Sequence, residues 1–417
     1  MSAHSIPAQR RNIFHLLSNL PFLSVSMTHT MADTLTSNVP LILAYVSAQF
    51  GLGNATIGMV ASLYHIVLAL GQPLFGWLAD RQGSRWFAGG GLLWQAALFL
   101  VAMALIMVSP WGWLALPVLI IASLGSGAFH PAGTERATVQ GLALMGTAAT
   151  ASSIFFLFGQ MGLGLGPWVG GVLLQNVGLW GIAGLAVISL PIGLLAVFAL
   201  RNRTVVVRTN PDRPVPARAP LASPIRPGWV FLALFALMIT MRMAPQSIMM
   251  TFIPKLLLDR GFESSYQGAA VAALMVGSAI GGVIGGVAAD RFGRRNTIMV
   301  AMLLSALPLY LLPVTTGPLL FVVAAIAGAA TGAPHSVIVV LSQSLMPCNM
   351  AMASGLALGF MFATGALVSW GIGVLAETYP LALMMQLSGG FALLGVLLCL
   401  ALKGDQPVAA AQPAAAD

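Results

Sequence analysis

Charge is scarce in this sequence. Of 417 residues, 7% are Asp, Glu, Lys or Arg, where a soluble domain has about 25%. That excludes a soluble globular fold, and a hydrophobic content of 58% with a mean hydropathy of +0.93 points the same way. Acid is scarcest, with ten Asp and Glu against eighteen Lys and Arg. Two cysteines, Cys348 and Cys399, exclude a disulfide framework, and no thiol chemistry is expected. The short alternating segments of a membrane barrel are missing. So is a P-loop, which excludes ATP as the energy source. No base, nucleophile and orienting group stand together, so no enzyme is expected. The histidines lack the spacing of a metal site, so neither metal nor cofactor is expected.

What is there is long apolar runs. They predict an all-α membrane protein with spans at 20–48, 54–79, 86–109, 113–134, 145–172 and 178–200, then 228–257, 265–289, 297–315, 317–344, 351–376 and 380–402. Residues 1–200 and 228–403 thus form two six-helix halves. Between them, 201–227 is a linker rich in Arg and Pro, and the Ala/Pro-rich tail 404–417 is expected to be disordered. Arg10 and Arg11 precede an apolar stretch with no small-residue cleavage site, which reads as an uncleaved first span. The formal charge of +8 suggests nucleic acid until its placement is read. With a cytoplasmic N-terminus, fifteen basic residues fall on the inner side and only Lys255 and Arg260 on the outer. This places both termini and the linker in the cytoplasm of a cell bounded by that membrane.

The first span holds Asp33 near its middle, at a cost of roughly 2.5–3.5 kcal/mol on insertion scales. No other acid lies so far from a predicted interface. His29 lies one helical turn earlier on the same face, and a costly acid beside a histidine suggests a proton site. Asn38 and Pro40 follow, and Pro40 is expected to loosen the helix. The bland alternative is an aspartate kept for a helix–helix hydrogen bond.

The halves repeat. At an offset of 210, Gly58, Gly71, Gly76, Asp80, Arg81, Gly83 and Arg85 meet Gly268, Gly281, Gly286, Asp290, Arg291, Gly293 and Arg295. Further on, at an offset of 205, Gly127 and His130 meet Gly332 and His335. Two joined copies of six spans are a parallel repeat of the kind found in secondary transporters.

The segment Gly76-x-x-Ala79-Asp80-Arg81-x-Gly83-x-Arg85, with its second copy, resembles the loop signature of the major facilitator superfamily. Gly162-x-x-x-Gly166-Pro167-x-x-Gly170-Gly171 resembles the antiporter motif of its drug/proton exporters. His29-x-x-x-Asp33 and Phe129-His130-Pro131 are similar to the fosmidomycin-resistance-like branch. That branch has an acid where Ala132 stands, and Glu135 and Arg136 come late. Exporters often have an arginine in span 4, where Ile121 and Ala122 stand, so its role is not carried over.

The resemblance implies the major facilitator fold, with twelve transmembrane helices in two pseudo-symmetric halves. It implies a bacterial inner-membrane protein, a monomer, that exports a small molecule or drug in exchange for protons. The proton gradient is then the energy source, and the partners are substrate, protons and the lipid bilayer, without nucleic acid. A proton-driven importer of a metabolite has the same architecture; only the span 5 glycines argue against it. The Asp80 and Asp290 loops become gate latches, rather than turns whose arginines merely mark the inner side. The glycines of span 5 allow close helix approach, and Pro167 bends the span.

Arg242 is the one basic residue in mid-span, one position from the pseudo-equivalent of Asp33. Spans 1 and 7 line the cavity in this fold, so an Asp33–Arg242 pair that a proton or an anionic substrate breaks is expected. Snorkelling is the alternative, but Arg242 lies too deep for it. His130, Gln160, Gln246 and Asn38 are further cavity candidates. Pro131 is expected to break the helix at His130, and the bland alternative for His130 is a ring satisfied by the carbonyl that Pro131 frees. Phe155, Phe156, Phe158 and Met161 are candidates for an apolar lining, and His65 and His335 for packing.

Overall fold

A computed structural model describes residues 13–145, 148–201, 228–335, 337–338 and 350–401. Most of the linker, the tail, Arg10, Arg11, Cys348 and the side chains of Asp80 and Asp290 lie outside the described residues.

The first predicted span is two helices. Asn19 accepts the N–H of Phe22 at 3.1 Å and Pro21 follows, so α1 (Leu20–Ser37) starts with a side-chain cap and a proline where no N–H is needed. It stops at Asn38 because Pro40 has no N–H for the carbonyl four residues back, and its ring crowds that carbonyl. The chain resumes as α2 (Val39–Phe50) and ends on Gly51 at φ +60°.

Among the described residues a single turn of helix, Ile13–Leu17, precedes α1, and the longer helices that follow are α3 (Asn54–Gln82), α4 (Arg85–Val108), α5 (Ala115–Met145), α6 (Ala148–Val177), α7 (Leu179–Ala199), α8 (Trp229–Asp259), α9 (Ser264–Phe292), α10 (Arg294–Leu311), α11 (Pro318–Gly332), α12 (Met350–Leu375) and α13 (Leu381–Ala401). Among the described residues, nine helices are long and apolar enough to cross a membrane. The rest of the twelve are the divided first span and the shorter apolar stretches Pro318–Gly332 and Gly359–Leu375. The expected break at Pro131 does not occur, and α5 runs through it to Met145. A single proline removes one ladder bond, a loss that a packed membrane helix tolerates.

Contacts divide the chain into two units. One comprises Met1–Leu52, Val60–Ala219 and Gly261–Gly268; the other comprises Gly53–Met59, Pro220–Arg260 and Ala269–Asp417. In the first, α4 packs on α5 and α7, and α1 packs on α6. Gly91 and Gly125 let α4 and α5 touch backbone to backbone, since a Cβ on either would meet the other's carbonyl. In the second, α8 packs on α12 and α13, and α10 on α11 and α13. Methionines dominate its core, among them Met238, Met241, Met243, Met302 and Met361, whose unbranched chains fill irregular gaps.

Both signature loops turn on a left-handed glycine, Gly83 at φ +88° and Gly293 at φ +84°. Their last arginines do the same job in each unit. The Nε of Arg85 donates to the carbonyl of Val197 at 3.0 Å, near the end of α7. The Nε of Arg295 donates to that of Cys399 at 2.7 Å and its Nη2 to that of Leu400 at 2.8 Å, at the end of α13. A guanidinium there satisfies orphan carbonyls and sits at the negative end of the helix dipole. Arg81 lies over the ring of Trp77, 4.0 Å from its centre. Each of these contacts gives an arginine a partner that the loop pattern itself does not contain.

Candidate functional site

In the first unit α1 presents Asp33, 5% exposed, between two imidazoles. One carboxylate oxygen lies 3.3 Å from Nε2 of His29, and the other lies 3.3 Å from Nε2 of His130 on α5. The helical spacing already put His29 beside Asp33. His130, marked in the sequence by Phe129-His130-Pro131 and as a cavity candidate, joins them from 97 residues away.

Each ring is fixed by its other nitrogen. Nδ1 of His29 is 2.9 Å from the carbonyl of Phe155, and Nδ1 of His130 is 2.7 Å from that of Ser126. A carbonyl only accepts, so both Nδ1 atoms carry hydrogen and donate. The acceptor for His130 is Ser126, not Gly127, whose carbonyl Pro131 leaves without its helical donor. The His29 ring also stacks on Phe155, centres 4.2 Å apart, and lies near Phe129 at 5.4 Å. Phe155 therefore holds His29 by face and by backbone, a role more specific than apolar lining.

Behind Asp33 is a hydrogen-bonded group that the sequence reading missed. Nε2 of Gln95 on α4 lies 3.1 Å from the carbonyl of Ala32, 3.0 Å from Oγ1 of Thr36 and 3.0 Å from the hydroxyl of Tyr64. Thr36 and Tyr64 are 3.1 Å apart. Gln95 is an amide with no exposure at all, and that was the available signal, because a buried amide in a membrane helix needs partners.

The span 5 glycines face α1. Cβ atoms on Gly159, Gly162, Gly166 and Gly170 would meet His29, the Thr30 carbonyl, Ser37 and Asn38 in turn. On α1, Thr30 donates to the Phe158 carbonyl at 2.9 Å and Ser37 to that of Gly162 at 3.4 Å. Asn38, expected at the cavity, is fully buried. Its amide donates to the carbonyls of Thr34 at 2.7 Å and Gly166 at 3.1 Å, holding the α1 break against α6. Gly171 instead meets Ser264 and Gly268 of α9. Gln160 sits half-buried on α6.

In the second unit Arg242 on α8 is 2% exposed. Its Nε and Nη2 donate to the carbonyl of Thr331 at 3.1 and 2.6 Å, and Nη2 donates to Oε1 of Gln246 at 3.2 Å. Nη1 lies against the sulfur of Met243 and 3.3 Å from Nδ1 of His335. Thr331 belongs to the last turn of α11, so a helix end and neutral side chains hold this cation. The expected Asp33–Arg242 pair is thus not needed to satisfy either group, because each has partners within its own unit. Gln246 also reaches Ser278 at 3.3 Å. His335 is part of the Arg242 cluster rather than isolated, whereas His65 turns its Nδ1 to the Ala61 carbonyl at 2.9 Å.

The charged groups deepest in each unit sit on helices that correspond in the repeat. The model of the Major Facilitator Superfamily matches residues 23–264 and 235–417. The chain is 28% identical to the fosmidomycin resistance protein of Escherichia coli over 382 residues, 90% of each chain. It is 24% identical to the gentisate transporter of Corynebacterium glutamicum over 354 residues, 79% of this chain and 76% of that one. Among solved structures it resembles an inward-facing, occupied bacterial homologue of the human lysosomal transporter Spinster, at TM-score 0.74 and 14% identity over 91% of this chain and 96% of that one. It also resembles a D-xylose–proton symporter, at TM-score 0.67 and 14% identity over 93% and 97%. Together with the twelve-helix repeat, these matches make the chain a multi-pass membrane transporter and not an enzyme: it belongs to the Major Facilitator Superfamily.

Proposed function

We propose that this transporter exports a small molecule in exchange for protons. Asp33, flanked by His29 and His130, is the coupling group, and Arg242 with Gln246 meets an anionic part of the substrate. The observation that supports this most is the carboxylate 3.3 Å from each of two imidazole nitrogens. A buried charge in a membrane helix marks an ion or substrate path by default. With both Nδ1 atoms committed to carbonyls, the two Nε2 atoms and the carboxylate form one basic group open to a proton.

Export is favoured by the similarity to the fosmidomycin resistance protein of Escherichia coli and by the glycine-lined seat of α1 on α6. Import is the second reading, in line with the likeness to a D-xylose–proton symporter. In either case the chain lies in the bacterial inner membrane with both termini cytoplasmic, following its arginine asymmetry, and works as a monomer driven by the proton gradient.

Vesicles with an imposed pH gradient test this. Wild type accumulates substrate against its gradient; Asp33→Asn loses that accumulation but retains substrate exchange. Inverted and right-side-out vesicles separate export from import. If Asp33→Asn still accumulates substrate in response to the pH gradient, the coupling site lies elsewhere.

A further inference from the structure

We propose that His29, Asp33 and His130 form a binding site for a divalent transition-metal ion of the zinc type, and that the ion blocks transport when it binds. The block rests on the coupling role proposed above; the binding does not.

The three residues converge as acceptors. Each Nδ1 donates to a backbone carbonyl, at 2.9 Å to Phe155 and 2.7 Å to Ser126, so each ring, when neutral, aims the lone pair of Nε2 at the carboxylate. Three acceptors so placed invite a cation, either a proton or a metal ion. The carbonyl contacts are also what orients histidine ligands in metal sites, where the second nitrogen usually donates to an oxygen.

The spacing also leaves room for a metal ion between the groups. A charge-assisted N–H···O bond is about 2.7–2.9 Å long, and both nitrogens here stand at 3.3 Å. Two ligands at about 2.0–2.2 Å from a tetrahedral ion lie about 3.4 Å apart. The two 3.3 Å contacts end on different carboxylate oxygens, and one ligand atom from each residue makes a set within 4.8 Å, which a shift of the Asp33 carboxylate toward one ion would draw together.

Two imidazoles and one carboxylate suit zinc, cobalt or nickel; an all-oxygen shell would suit magnesium or calcium. Beside the ligands α6 has Gly159, where a Cβ would collide with the His29 ring and come within 2.9 Å of the Asp33 carboxylate. The His130 side chain, 23% exposed, gives the ion a way in. An ion seated here occupies both lone pairs and the carboxylate, leaving no group to exchange a proton.

The test uses purified full-length protein, titrated with Co2+ by visible absorption and with Zn2+ by calorimetry. Wild type should bind one ion per chain with a cobalt ligand-field spectrum. Loss of a group that only orients a ligand costs about 10–100-fold in metal affinity. His130→Gln and Asp33→Asn, which remove a ligand, should therefore weaken binding by at least about 100-fold. Gly159→Ala keeps every ligand and should weaken binding by crowding the site, so a general folding defect is not the only explanation left. His65→Gln should bind as wild type does. An absent cobalt spectrum, or unchanged affinity in these three variants, overturns the site. Zinc that binds yet leaves pH-driven transport untouched overturns the block, and Asp33→Asn in the same vesicles shows whether the coupling role fails with it.

Discussion

Replacing Gly162 by alanine tests the seat of α1 on α6 with a single methyl group. The added Cβ would overlap the carbonyl of Thr30 and lie 3.0 Å from Cβ of Asp33. The obstructing atom is backbone and cannot rotate aside, so the helices must part. Overpacking of this kind costs about 1–3 kcal/mol. The Ser37 bond to the Gly162 carbonyl, 3.4 Å already, is stretched further, and losing one hydrogen bond adds about 1 kcal/mol. The expected loss is then about 2–4 kcal/mol. At about 2 °C per kcal/mol for a large chain, the thermal unfolding midpoint of the purified protein falls by about 4–8 °C. Transport falls as well, because the same methyl pushes on Asp33. Gly90→Ala and Gly184→Ala serve as controls. Nothing lies within 4 Å of a Cβ at either site, and alanine favours a helix over glycine by about 1 kcal/mol, so their midpoints should hold or rise. A Gly162→Ala protein with wild-type midpoint and rate refutes the close seat and its link to Asp33.

Gly83→Ala and Gly293→Ala place a side chain at φ +88° and +84° with open space around it. Gly83→Ala should lower stability by about 1 kcal/mol through the backbone alone, and Gly293→Ala, with ψ at 150°, by about 1–3 kcal/mol; a double variant with an unchanged unfolding midpoint would contradict this. Arg242→Met removes a buried cation along with its donors to Thr331. Stability should change by less than about 2 kcal/mol, since the desolvation cost leaves with the charge, while transport of anionic substrates is lost. Wild-type transport of an anion by this variant would remove Arg242 from the substrate path. Arg85→Gln gives up the contact with the end of α7 and should cost about 0.3–1 kcal/mol, read as an unfolding shift that salt diminishes.

The architecture was largely legible, because a bilayer forces about twenty apolar residues into every span. The break after Asp33 could be read from Pro40, since a missing N–H is a local fact. Pro131 looked the same in sequence but leaves α5 intact, because tolerance of a proline depends on what packs around it. His29 and Asp33 were paired by helical spacing. His130, Gln95 and Tyr64 reach the site only through helix packing, which composition does not encode. The signature loops set Asp80 and Asp290 beside arginines. Arg85 and Arg295 use carbonyls at helix ends, and every helix end supplies those, so no residue type marks them in advance. Arg242 was recognised as buried, but its holder, the Thr331 carbonyl, is equally silent in sequence.

That mode of holding Arg242 has an electrical consequence. Carbonyl dipoles stabilise a guanidinium without cancelling its unit charge, so the transmembrane voltage acts on it. A full charge crossing the whole field is worth about 2.3 kcal/mol per 100 mV. If the transport cycle moves Arg242 through a quarter of that field, each 100 mV contributes about 0.6 kcal/mol, close to threefold in the balance of states. An anion seated on the arginine would erase that sensitivity, so the empty carrier should feel voltage more than the loaded one. Vesicles clamped at different potentials with valinomycin and potassium measure the difference, and equal voltage dependence with and without an anionic substrate would refute it.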